Sequence, residues 1–76
     1  MERDIAIRLD SMAHAASTSL NGIAQYMKDN LSDEEFVERR MFIAKAMGEM
    51  LQLSMSLYAI FPDIVPKGMQ PDVDNL

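Results

Sequence analysis

The stretch DNLSDEEF, residues 29–36, decides how this chain folds. Ser32 followed by Glu35 has the S-x-x-E spacing of a capping box, in which each residue accepts a hydrogen bond from the backbone N–H of the other. Asp33, Glu34 and Glu35 then occupy the first turn of a helix, where carboxylates interact favourably with the helix dipole. The pattern predicts that a helix begins at residue 33.

The residues that flank this cap predict a tight connection between two helices. Leu31 precedes the cap and Phe36 lies four positions into the next helix, which is the spacing of a hydrophobic staple. Asn30 tolerates the left-handed conformation that ends many helices, so we expect the preceding helix to end there. So short a connection joins antiparallel neighbours, and the sequence therefore predicts an all-α fold, an antiparallel helical hairpin over residues 1–61.

The segment before the cap has the apolar spacing of an amphipathic helix, which we predict at about residues 3–29. Its apolar side chains fall within an arc of about 120° on a helical projection. They recur at steps of three and four, close to the rhythm of a coiled-coil seam. The predicted core positions are Ile5, Leu9, Met12, Ala16, Leu20, Ile23 and Met27. Asp10, His14 and Ser17 are predicted to lie on the opposite, polar side.

The segment after the cap is apolar almost all the way round, and we predict a helix at about residues 33–60 that ends before Pro62. Within MFIAKAMGEMLQLSMSLYAIF, residues 41–61, one narrow sector holds four polar side chains: Lys45, Glu49, Gln52 and Ser56. The apolar arc that remains spans about 260°, whereas about 100° suffices for an ordinary amphipathic helix. One neighbouring helix cannot cover such an arc, so the sequence predicts a further partner.

A second copy of the chain is the predicted partner, because two hairpins packed through their second helices form a four-helix bundle. C2 homodimers are the commonest oligomers. A chain of 76 residues without cysteine has a thin core and no disulfide to reinforce it, which also favours oligomerisation. The predicted dimer interface consists of Met47, Met50, Leu51, Ser54, Leu57, Tyr58 and Phe61.

Residues 62–76 contain the three prolines of the chain and cannot continue the second helix. We predict an extended or partly disordered C-terminal arm, with disorder beyond Gly68. Ile64 and Val65 are the apolar residues of this arm that we expect to pack on the hairpin or on a partner.

The charge balance bears on the class of partner. Twelve acidic residues against seven basic ones give a net charge of −5, which disfavours nucleic-acid binding and anionic membrane surfaces and favours a basic protein. Arg39 and Arg40 form the only basic doublet, and they support the alternative of a nucleic-acid-binding hairpin dimer. Lys45 and Glu49 lie too far inside residues 41–61 for a membrane span. The start of the chain has no signal-peptide pattern, and we expect a cytoplasmic protein.

The residues that carry chemistry in enzymes are scarce. One histidine and no cysteine leave no credible nucleophilic triad, so we expect no enzymatic activity. His14 follows Asp10 by four residues, a spacing that could form half of a metal site completed across a dimer axis. An exposed pair explains the same spacing more simply, and we expect neither a metal nor a cofactor.

The methionines indicate a binding surface. Eight methionines are many for this length, and methionine suits surfaces that adapt to a protein partner. We therefore expect a non-enzymatic interaction module: an adaptor, a chaperone-like subunit or an inhibitor that occupies the surface of a regulatory protein. A structural subunit of a larger helical assembly is a further alternative. The predicted partner-binding residues are Phe42, Met55, Ile64, Val65, Asp33 and Glu34.

Overall fold

The structure, a computed structural model, describes residues 1–66. It consists of two long helices that pack against each other, α1 at Arg3–Asn30 and α2 at Asp33–Ile60, followed by a short 3-10 turn at Pro62–Ile64. The predicted all-α hairpin is confirmed, whereas the four-helix bundle stays a prediction. The predictions for residues 67–76, including disorder beyond Gly68, lie outside the described residues.

The capping box at the start of α2 is present. The backbone N–H of Glu35 donates to Ser32 Oγ at 3.2 Å, and the backbone N–H of Ser32 donates to Glu35 Oε1 at 3.3 Å. Two N–H groups that the helix itself leaves without partners are thereby satisfied. This reciprocal pair fixes the point at which the chain reverses direction.

α1 ends at Asn30, where the sequence predicts the end of the first helix, but the conformation of its cap differs from the prediction. Asn30 is the last helical residue, and its side-chain amide donates to the carbonyl of Tyr26 at 2.8 Å. Leu31 is extended, with φ −101°, and its N–H donates to the carbonyl of Met27 at 2.8 Å. No residue of the described chain outside glycine has a positive φ. The predicted left-handed cap at Asn30 is therefore wrong, because an extended residue leads directly into the next N-cap.

The face that α1 turns towards α2 also differs from the prediction. Three of the predicted core residues are exposed, Ile5 at 50 %, Met12 at 60 % and Ile23 at 49 %. The buried and half-buried residues instead include a row one position further along the helix, which we call the α1 contact row: Ala6, Asp10, Ala13, Ser17, Leu20, Ala24, Met27 and Leu31. A step of one residue rotates a helix face by about 100°.

The small side chains of α1 explain this rotation. Most of the buried and half-buried side chains of α2 and its C-cap lie in one row of mostly large residues, which we call the α2 contact row: Phe36, Ile43, Met47, Met50, Ser54, Leu57 and Phe61. Large side chains on one helix pack against small ones on the other, which lets the two helices approach each other. Complementary size therefore selects the buried face of α1, and its most hydrophobic residues remain outside.

The hairpin is one helix layer thick. Its smallest principal extent is 14 Å, so both broad faces are open. The buried apolar residues within residues 1–66 are Ala6, Ala13 and Leu57. No helix within residues 1–66 is both long and apolar enough to cross a membrane.

Candidate functional site

A shallow groove distinguishes the two broad faces of the hairpin. It lies between the middle of α1 and the C-terminal half of α2, and its volume is about 330 Å³. Its walls are mostly apolar or small, and they consist of Ala13, His14, Ser17, Met47, Gly48, Met50, Leu51 and Ser54. We call the side on which it opens the groove face and the opposite side the back face.

On the groove face, α2 carries an uninterrupted row of apolar and small residues, which we call the α2 ridge. Its members follow one another at steps of four and three, and they are Val37, Met41, Ala44, Gly48, Leu51 and Met55. Gly48 and Leu51 also line the groove, which places the ridge on that side. The four large members are each about half exposed, so α1 leaves the ridge largely uncovered.

The back face carries exposed apolar side chains from both helices. They lie one residue before each contact row, and they are Ile5, Met12 and Ile23 of α1 with Phe42, Leu53 and Ile60 of α2. Phe42 is the most exposed of them at 71 %. Charged residues such as Arg39 and Glu49 lie in the same α2 row, so this face is less uniformly apolar than the ridge.

A cluster of three polar side chains connects the helices beside the groove. The hydroxyl of Tyr58 donates to Asp10 Oδ1 at 2.8 Å. His14 Nε2 lies 3.2 Å from the same hydroxyl and 3.3 Å from Asp10 Oδ1. Asp10 is buried and belongs to the α1 contact row, whereas His14 is half exposed at the groove wall.

The cluster corrects the prediction that Asp10 and Ser17 lie on the polar side of the first helix. Both residues face α2, Asp10 buried and Ser17 half-buried. A buried carboxylate is acceptable only with a hydrogen-bond partner, and Tyr58 supplies it from a position 48 residues away. Local periodicity cannot reveal a partner so distant in sequence.

This cluster links the two helices through hydrogen bonds. Burial raises the pKa of the Tyr58 hydroxyl, and the hydrogen bond to Asp10 and its charge raise that pKa further, while a hydrogen bond with Ser54 acts in the opposite direction. A phenol with a raised pKa stays protonated at neutral pH and remains a donor. The hydrogen bond from Tyr58 to Asp10 therefore holds α1 and α2 in register.

The open end of the hairpin carries a second connection. Arg3 donates through Nε to Asp63 Oδ2 at 2.7 Å, and Arg3 Nη2 lies 2.7 Å from the same oxygen. Both side chains are exposed, so the pair contributes little to stability and mainly positions the 3-10 turn beside the start of α1.

The residues predicted for the dimer interface are divided by the fold. Leu57, at 1 % exposure, and Ser54 are buried against α1 within one chain. Met47, Met50, Tyr58 and Phe61 are half-buried, and Leu51 is half exposed on the ridge. The interface itself stays a prediction, and within this set Leu51 is the large side chain most available to a second copy.

The residues predicted to bind a partner are not gathered into one surface. Phe42 lies on the back face and Met55 on the groove face, both exposed. Asp33 and Glu34 are exposed at the turn, whereas Ile64 and Val65 are half-buried near the opposite end. The length of α2, about 42 Å for its 28 residues, separates the two ends.

Two features of the surface escaped the sequence reasoning. The residues of the α2 ridge recur with heptad spacing. Because the apolar arc covers most of the helix, the sequence does not distinguish this row from the other apolar rows. Hydrophobic periodicity predicts that the exposed apolar row of α1 belongs to the core, because its side chains are the most hydrophobic ones of that helix. The small residues Ala6, Ala13 and Ser17, at contact-row spacing, were the available signal for the true buried face.

Comparison of the chain with models of protein families, with curated proteins and with solved structures finds no match in any of the three.

Proposed function

We propose that this chain is a non-enzymatic protein–protein interaction module, a small acidic hairpin that dimerises through α2. It acts as an adaptor, a chaperone-like subunit or an inhibitor, by occupying the binding surface of a regulatory protein. A single hairpin leaves many apolar side chains uncovered, and a second copy and a regulatory protein each cover part of them.

The observation that supports it most is the imbalance between buried and exposed apolar side chains. Within residues 1–66, thirteen large apolar side chains are exposed, whereas Leu57 is the single large one that is fully buried. Contiguous exposed apolar patches mark interaction surfaces in soluble domains, and the α2 ridge gathers four of these side chains in one row. Burial by another polypeptide removes these side chains from water and adds the stability that a thin hairpin lacks.

The position of the exposed side chains supports self-association through α2. α2 exposes large apolar side chains on both broad faces of the hairpin, Leu51 on the groove face and Phe42 on the back face. Leu51 is the predicted interface residue that α1 leaves most exposed, and Met41 and Met55 flank it on the same ridge. A second copy covers this ridge, and the back face with Phe42 remains for a different protein.

The acidic turn supports a basic target. Asp33 and Glu34 are exposed at the tip, and the whole chain carries a net charge of −5. Charge of one sign at the edge of an apolar surface accelerates encounter with an oppositely charged partner. The carboxylate of Glu35 is already engaged by the capping box, so the steering charges are those of its two neighbours.

Sedimentation equilibrium of the purified chain over a wide concentration range tests the self-association. We expect a dimer mass that persists into the micromolar range for the wild-type chain. Leu51→Glu places a charge on the ridge without entering the intrachain core, and we expect it to convert the dimer into a folded monomer. Circular dichroism of the variant checks that the helices remain.

Ser56→Glu is the matched control, because it adds the same charge on α2 at an exposed residue away from the ridge. We expect it to leave the dimer intact. A wild-type chain that sediments as a monomer at every concentration contradicts the dimer, and equal effects of the two substitutions contradict its assignment to the ridge.

A further inference from the structure

We infer that the α2 ridge pairs antiparallel with the ridge of a second copy, with Ala44 of each chain opposite Gly48 of the other. This inference rests on the proposed dimerisation through α2 and specifies its face, direction and register. It differs from the dimer predicted from the sequence, whose interface included residues that α1 already buries.

The order of residues along the ridge is self-complementary when it is read in opposite directions. Reversal about its centre sets Val37 opposite Met55, Met41 opposite Leu51, and Ala44 opposite Gly48. Large apolar side chains thus meet large ones at both ends of the ridge, and small meets small at its centre. A C2 interface requires this property, because the same patch must serve both copies.

The small centre allows the two helices to approach closely. A Cβ added to Gly48 meets no atom within 4 Å, so nothing within the chain fills the space beside it. Glycine is the least favourable helix residue after proline, and the hairpin alone gives no packing reason for one in α2. A second helix that crosses at Gly48 and Ala44 provides that reason, because small residues let two backbones come together.

The distribution of charge selects the antiparallel direction. The first turns of α2, residues 33–40, carry four carboxylates and two arginines, a net charge of −2, whereas residues 50–61 contain no charged side chain. A parallel pair sets the two acidic ends side by side, which costs energy through like-charge repulsion. An antiparallel pair sets each acidic end beside an uncharged one and opposes the two helix dipoles favourably.

The groove gives the second copy a place to pack. Gly48 and Leu51 belong both to the ridge and to the groove wall. Met41 of the second copy, which lies opposite Leu51, therefore reaches the mouth of the groove. Its unbranched, flexible side chain suits an irregular apolar opening.

Single-cysteine variants test the register directly, because the natural sequence contains no cysteine. Ala44→Cys and Gly48→Cys are made separately, and each is oxidised alone and in an equimolar mixture. Both positions are exposed, and the open space at Gly48 admits the new side chain. We expect a disulfide dimer that contains one chain of each variant, identified by intact mass, and little cross-linking of either variant alone.

Geometry explains this expectation. Residues whose Cα atoms lie more than about 7 Å apart cannot form a disulfide without backbone movement. In the antiparallel register, two copies of residue 44 are offset by four residues, or about 6 Å along the helix axis, in addition to the distance between the helices. Met41→Cys mixed with Leu51→Cys repeats the test at a second pair of the same register.

The outcomes separate the inference from the dimer on which it rests. Cross-linking of each variant with itself indicates a parallel pair and overturns the inference, as does a dimer that cross-links at neither pair. In those two cases the proposed dimer survives, provided that the cysteine variants still sediment as dimers. A chain that sediments as a monomer, free for a different protein, overturns both.

Gly48→Leu and Gly22→Leu provide a second measurement. Both glycines lie within helices, and the Cβ of a new side chain at either position meets no atom within 4 Å. We expect Gly48→Leu to weaken dimerisation at least tenfold, because the side chain separates the helices at their crossing, and Gly22→Leu to leave it unchanged. Equal dissociation constants for the two variants overturn the inference.

Discussion

The two ends of the hairpin are held in different ways. At the turn, Ser32 and Glu35 bond each other across three residues, and no distant residue takes part in the cap. At the open end, Tyr58 bonds Asp10 across 48 residues and Arg3 pairs with Asp63 across 60. The buried residues Ala6, Ala13 and Leu57 lie towards that same open end.

The difference teaches that local and long-range interactions have separate tasks in this fold. The turn determines that the chain reverses and where α2 begins, but its surroundings are only half-buried or exposed. The open end holds the two helices against each other with the little core that one chain possesses. We therefore expect substitutions at the open end to cost more stability than substitutions at the turn.

Leu57→Ala is expected to have the largest effect. It removes the one large, fully buried apolar side chain of residues 1–66 and leaves a cavity against α1, at a cost of about 2–5 kcal/mol in the free energy of unfolding. Urea denaturation followed by circular dichroism measures this loss. Leu53 lies on the same helix but is 37 % exposed, so Leu53→Ala should reduce the free energy of unfolding clearly less. Equal losses would contradict the burial of Leu57 in the core.

Tyr58→Phe is expected to come next. The substitution keeps the ring but leaves the buried Asp10 without its 2.8 Å donor, which costs about 1–3 kcal/mol. The same denaturation experiment measures it. Tyr26→Phe is the matched control, because that ring is strongly exposed, and a change within about 0.5 kcal/mol is expected there. Similar losses in the free energy of unfolding for the two tyrosines would show that the hydroxyl of Tyr58 does not stabilise the contact between the helices.

Ser32→Ala is the corresponding test at the turn. It removes the side-chain acceptor of the capping box and is expected to cost about 1 kcal/mol. Ser19→Ala, at an exposed position inside α1, removes a serine that caps nothing and should leave stability unchanged or slightly higher. A larger loss for Ser32→Ala than for Leu57→Ala would reverse the comparison between the two ends.

The smallest expected effect is a dependence on pH at the turn. The backbone N–H of Ser32, then its hydroxyl and the charge of Arg39 lower the pKa of Glu35 below its ordinary value of 4.5, with slight burial acting against them. A lowered pKa means that the charged form is favoured by folding, so this stabilisation is present above pH 4.5 and is lost as the pH falls through the pKa of the folded chain.

Glu35→Gln removes this titration while it retains an amide oxygen that can accept a hydrogen bond. We expect the wild-type chain to exceed the variant in stability at neutral pH and the difference to shrink as the solution is acidified. Urea denaturation of both proteins at a series of pH values measures it. A difference that is constant with pH would show that the charge of Glu35 plays no part in the cap.

Much of the scaffold was predictable because its signals are local. The cap at Ser32, the antiparallel reversal and the termination of α2 before Pro62 each depend on residues close together in sequence. The buried face of α1 was not predictable in the same way. Hydrophobicity ranked Ile5, Met12 and Ile23 above Ala6, Ala13 and Asp10, yet the latter three are buried.

For the candidate site, the sequence predicted how much apolar surface α2 carries but not which of its residues are exposed. The sequence indicated that α2 has more apolar surface than one neighbour can cover, but it could not divide that surface between α1 and the outside. Leu57 and Ser54 are buried against α1, whereas Leu51 and Met55 are exposed. Residues three or four apart lie on almost the same face of a helix, so their assignment depends on where the neighbouring axis lies.

By itself, the amino-acid sequence determined that the chain forms two long helices joined by a capped turn, because caps, prolines and helical periodicity act over a few residues. Only the tertiary structure decided which face of α1 is buried and which partner a buried carboxylate finds. Those choices depend on the complementary sizes of side chains on two helices and on hydrogen bonds that span most of the chain, such as that from Tyr58 to Asp10. The physical reason is that the packing of two helices depends on the side chains of both, whereas hydrophobic periodicity is a property of each helix alone.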